Sequence, residues 1–221
     1  MGHYDTARER LVESLALAQK DGDSFRIAHT LNTLGDLARL EQHYDEAKSA
    51  YEQCAALLRQ LGAQHDLASI LANLGYTWLH LESVEHAQPL FHESMAIHLA
   101  QNNQPGMVEC LYGFAACAIR MGLPAAGVRL LAAASASRGQ PTSSVWLATR
   151  MEFEHYLDLA RARLATPAFQ AEQKIGRAMS LEQAVDYAQD LPLQPGIAAA
   201  AGELPGDLTR RERQVVVLIG Q

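Results

Sequence analysis

Small and apolar residues recur along this chain at a constant spacing, which restricts it to folds built by stacking one unit. Leu31, Leu34 and Gly35 return as Leu71, Leu74 and Gly75, then as Leu111, Phe114 and Ala115. Ala47, Tyr51 and Cys54 return as Ala87, Phe91 and Ser94, then as Gly127, Leu131 and Ala134. Each period divides into two helices. The first kind is expected over 24–41, 65–81 and 105–121, the second over 44–61, 84–101 and 124–138. A further helix of the second kind opens the chain at 4–20. Turn signals separate them at Asp21-Gly22-Asp23, Leu61-Gly62-Ala63, Asn102 to Gly106 and Gly122-Leu123-Pro124.

The residue types follow from close packing. Ala47, Ala87 and Gly127 sit where the second helix crosses the first, and Gly35, Gly75 and Ala115 answer them from the partner helix. Large side chains there would hold the backbones apart. Tyr51, Phe91 and Leu131 then fill the space between hairpins, while the leucines form an apolar seam that neither helix can bury alone. By this register Ala87 is buried and Gln88 exposed.

The order of an early Leu, Leu-Gly, a later Ala, an aromatic and a small residue resembles the tetratricopeptide pattern over residues 4–138. The usual unit is about 34 residues; here Leu31 returns as Leu71 and then Leu111, a period of forty. The resemblance implies an all-α superhelical array of antiparallel hairpins, with a half repeat at 4–20 and units at 24–61, 65–101 and 105–138. Beyond 138 the period fails. Residues 139–191 read as capping helices: Ser144–Leu164, a helix opened by Thr166 as cap with Pro167 at its first position, and Leu181–Leu191 behind a Ser180/Gln183 capping box. Residues 192–206, rich in Pro, Gly and Ala, read as a linker.

The final stretch, 207–221, resembles the opening of the helix-turn-helix of LuxR-type regulators through Leu208, Thr209, Arg211, Glu212, Val215, Leu218 and Ile219, with departures at Gln214 and Val216. Arg129–Ala134, Phe169-Gln-Ala and Gly176–Val185 are similar to the tail of large regulators of this kind, MalT-like in their order of ATPase, tetratricopeptide sensor and DNA reader. The resemblance implies a fragment that starts inside the array and stops within the first helix of the DNA reader, so that DNA would be bound only through a helix-turn-helix incomplete in this chain. Arg210, Arg211 and Arg213 are open to two readings, phosphate contact in a complete reader or simple solvation of a helix start.

Composition narrows the partners. A net charge of -7 disfavours a nucleic-acid footprint over most of the surface. No apolar run is long enough to span a membrane and the N-terminus has no secretory pattern, so a cytoplasmic location is expected. Three cysteines, Cys54, Cys110 and Cys117, lack metal-ligand spacing and read as buried thiols. Phosphate-loop, nucleophile-elbow, zincin and Cys-x-x-Cys motifs are missing, so no catalytic residue, cofactor or metal is assigned. His80, His86, His92 and His98 recur at a sixfold spacing that does not keep one helix face, and read as solvated.

The tetratricopeptide resemblance places partner contacts on the inward side of each first helix. Carried over by register, these are His29, Asn32, Asp36 and Arg39; then Ser69, Ala72, Tyr76, Leu79 and His80; then Glu109, Tyr112, Ala116, Ile119 and Arg120. The expected occupant is a peptide, protein or small-molecule inducer. Two functions remain open: a sensor domain of a bacterial-type transcriptional regulator, or a free-standing adaptor.

Overall fold

The computed structural model describes residues 2–137 and 147–192. The expected linker from 193 onward, the LuxR-like segment 207–221 and residues 138–146 lie outside the described residues. Among the described residues the helices follow in order: α1 Gly2–Asp21, α2 Ser24–Leu40, α3 Tyr44–Leu61, α4 Gln64–His80, α5 Val84–Ala100, α6 Gln104–Arg120, α7 Pro124–Ser137, α8 Leu147–Arg163, α9 Thr166–Ala178 and α10 Leu181–Gln189. Helices α2 to α7 form three antiparallel hairpins stacked side by side, and each helix packs on the next. The architecture is the tetratricopeptide-like array that the repeat period requires.

The turns explain the regularity. The left-handed backbone conformation falls at Gly22, Gln42, Gly62, Glu82, Asn102 and Gly122, evenly spaced at half the repeat period. After each, an amide reaches back five positions: Asp23 to the Ala18 carbonyl, His43 to Ala38, Ala63 to Leu58, Ser83 to Trp78, Asn103 to His98 and Leu123 to Ala118. The left-handed residue itself donates three positions back, as Gly62 does to Arg59. These paired bonds satisfy carbonyls that a helix end would otherwise leave bare. Asp23 and Asn103 also cap the helices that follow, accepting from the Arg26 and Gly106 amides.

Within each hairpin the large and small residues match across the crossing. A Cβ placed on Gly35 would stand 2.6 Å from the Tyr51 ring, and one on Gly75 2.8 Å from the Phe91 ring. In the third hairpin the ring becomes Leu131 and the glycine becomes Ala115, a smaller knob over a shallower hole. The residue one position after the glycine changes in step. Tyr51 donates its hydroxyl to Asp36 at 2.7 Å; Phe91 has no hydroxyl and meets the edge of Tyr76, with ring centroids 5.1 Å apart. Behind Leu131 stands Ala116. A second repeated contact fastens the second helix of a hairpin to its first: Cys54 Sγ donates to the Ala28 carbonyl, and Ser94 Oγ to the Ala68 carbonyl.

Three expectations need correction. Gln88 is fully buried, its amide donating to the Pro192 carbonyl, because the chain after α10 returns across α5. His98 is 2 % exposed against Gly106 and Asn103, since the third unit has glycine where the second has Asp66 and the ring fills that space. The cap of α9 is Ala165, with Thr166 already helical, although the Ser180/Gln183 capping box forms as expected.

Candidate functional site

The inward side of α2, α4 and α6 divides into an open end and a covered end. At the open end, a groove of about 330 Å³ runs between α2 and α4. His29, Asn32 and Ser69 line it beside Phe25 and Asp66, over a floor that includes Cys54, Leu58 and Ile70. It exists because α2 and α4 hardly touch, whereas α4 and α6 are in direct contact. Gly113 and Gly106 let α6 approach α5, the first accommodating Phe91 and the second His98; one unit earlier Asn73 and Asp66 occupy these positions.

Phe25 is 59 % exposed at the rim, an unusual position for so large an apolar side chain. Asn32 Oδ1 is buried in the groove and has no hydrogen-bond partner among the described residues. A buried acceptor left unpaired costs about 1–3 kcal/mol, which a turn of the Asn32 side chain toward a ligand N–H would recover. Burial pushes the Cys54 thiol up to about 11, so it is a weak nucleophile at the groove floor.

Toward the C-terminal ends of the same helices the expected partner-binding residues are covered. Helix α8 lies against α6 and α7 and reaches α4. Its Glu152 Oε1 accepts from His80 Nε2 at 2.7 Å, and Tyr112 meets Phe153 edge-on at 5.4 Å. Arg163 donates to the Ile119 carbonyl at the far end. Tyr44 stacks on the His80 ring at 4.3 Å. Tyr76, Leu79, Tyr112, Ala116 and Ile119 are all buried here, as is Ala72. Arg120 is half-buried and donates to the Leu79 carbonyl. Burial, followed by the negative field of Glu152, holds the Tyr76 and Tyr156 hydroxyls far above their ordinary range.

The structure therefore puts His29, Asn32 and Ser69 in one open groove and leaves Glu109 exposed on α6. Tyr76, His80, Tyr112 and Arg120 gather beneath α8. Asp36 and Arg39 are buried between the two; burial raises the Asp36 carboxyl, opposed by the Tyr51 hydroxyl and the Arg39 charge. The sequence did not flag Phe25, an exposed aromatic at a helix start, or Glu152, whose role depends on where the cap docks. Among the described residues no cluster of His, Cys, Asp or Glu has the makings of a metal site, and no helix is long and apolar enough to cross a membrane.

This geometry defines a helical-repeat interaction scaffold, with a superhelical face shaped for a partner. The tetratricopeptide repeat family matches residues 1–60. No curated protein and no solved structure matches the chain.

Proposed function

We propose that this chain is the partner-sensing scaffold of a bacterial-type transcriptional regulator, holding a peptide or protein segment in the groove between α2 and α4. The observation that carries the binding half is the unpaired Asn32 acceptor inside an open groove rimmed by an exposed phenylalanine. An extended segment would place a backbone N–H on Asn32 and an apolar side chain against Phe25 and Ile70. The regulator half is supported by the LuxR-like string from Leu208 to Ile219.

A displayed peptide library panned on the chain tests the first half. Selected peptides should bind at least tenfold more weakly to a Phe25→Ala, Asn32→Ala variant whose melting temperature is unchanged. Undiminished binding would put the site elsewhere. For the second half, the chain is extended through the reading frame that follows Gln221. Sequence-selective binding to duplex DNA that weakens steeply with salt supports the regulator; a stop codon at that point favours the free-standing adaptor.

A further inference from the structure

The covered end of the concave face has the composition of a helix-binding site, and α8 occupies it as a ligand would. The footprint presents His80 stacked on Tyr44, the Tyr112 ring, and Arg120 at the margin. Onto it α8 places a carboxylate at Glu152, an aromatic ring at Phe153 and a buried phenol at Tyr156, one turn further along. Across the contact the His80 ring nitrogen meets the Glu152 carboxylate at 2.7 Å.

Two features bear on how firmly α8 is held. The contact buries polar atoms it does not satisfy: Glu152 Oε2 and the Tyr76 hydroxyl have no partner among the described residues. Each such atom weakens docking relative to an occupant that pairs it. The rest of the cap also has contacts of its own with the array. Helix α9 packs chiefly on α7, and α10 on α6 and α7, while α8 meets α9 mainly where Arg161 lies over the Phe169 ring. Arg129 and Glu172, bonded at 2.8 Å, tie α7 to α9 without α8. The neighbouring helices can stay in place when α8 leaves.

We propose that the face formed by His80, Tyr112 and the C-terminal end of α6 is a docking site for an amphipathic helix of a partner protein. That helix carries a carboxylate followed by aromatic residues one and four positions later, and α8 is a resident copy that the partner displaces. This site is separate from the α2–α4 groove and goes beyond the function proposed above.

The probe is a labelled peptide of residues 147–163 offered to the full chain. In one variant, Glu152→Arg with Phe153→Ala, the resident helix loses its carboxylate bond to His80 and its ring contact with Tyr112. The peptide should bind this variant at least tenfold more tightly than wild type, and His80→Ala added to the variant should remove that gain. Asn32→Ala should leave peptide binding unchanged, which separates this site from the groove. Equal binding to wild type and variant, or binding to neither, overturns the proposal. Hydrogen exchange on the unmodified chain provides a test that needs no variant. The α8 amides should exchange ahead of those in α9 and α10, and exchange of all three together would refute a separable α8.

Discussion

Alanine at Gly113 probes the closest approach in the array. Its Cβ would stand 2.2 Å from one Phe91 ring carbon and 2.3 Å from another. Carbon atoms prefer about 3.5–4.0 Å, so the ring must retreat by more than about 1 Å. It has little room to do so. Phe91 is fully buried, with Gly75 against its other side, Tyr76 edge-on at 5.1 Å and Phe114 at 6.3 Å. Overpacking of this kind costs about 3 kcal/mol at the upper end of the usual range. The better helix propensity of alanine returns about 1 kcal/mol. The net loss is about 2 kcal/mol, or a drop of about 4–8 °C in melting temperature for a domain of this size. Urea denaturation followed by far-ultraviolet circular dichroism measures it. The third hairpin suggests the rescue, since Leu131 there stands over Ala115. Phe91→Leu added to Gly113→Ala should recover at least about 1 kcal/mol relative to the sum of the single changes. A Gly113→Ala protein as stable as wild type, or a strictly additive pair, would show that α6 does not lie this close to α5.

Other expectations are simpler to state. Gln42→Gly relieves a left-handed residue that carries a Cβ and should add about 0.5 kcal/mol, whereas Gly62→Ala imposes that strain and should remove about 1 kcal/mol; opposite signs in parallel melts are the check. Gln88→Ala breaks the bond to Pro192 and opens a buried space, so it should cost about 1–2 kcal/mol in chemical denaturation, against under about 0.5 kcal/mol for exposed Glu85→Ala. Burial, with the nearby His65 charge, lowers the His98 imidazole below its ordinary 6.5, so the folded chain prefers it neutral. The stability it contributes is complete above pH 6.5 and is lost as pH falls from there through the depressed folded value. His98→Leu, copying Leu58 of the preceding unit, should flatten that part of a stability–pH curve, and an unchanged slope would count against the assignment.

The array was legible because its constraint is local and repeated. Gly35 under Tyr51 and Gly75 under Phe91 are pairs that each lie within a single hairpin, and the second restates the first in register. The turns at Gln42 and Glu82 carry no glycine, so spacing alone marks them. What could not be read was set by contacts far apart in sequence. Gln88 is buried by a residue 104 positions later, and His80 is engaged by one 72 positions later. Neither partner belongs to the period, so no register argument reaches it. The covering of Tyr76 and Tyr112 has the same origin: the inward positions follow from the repeat, but whether they meet solvent depends on the non-repeating helix laid over them.

The even spacing of the left-handed turns has a genetic counterpart. Each helix of the array, with the turn that ends it, occupies the same length of chain, so every hairpin is encoded by the same whole number of codons. Unequal recombination between neighbouring copies would insert or delete one complete hairpin in frame, with its caps and crossing residues intact. Such a gene could lengthen or shorten its scaffold in single steps of one hairpin.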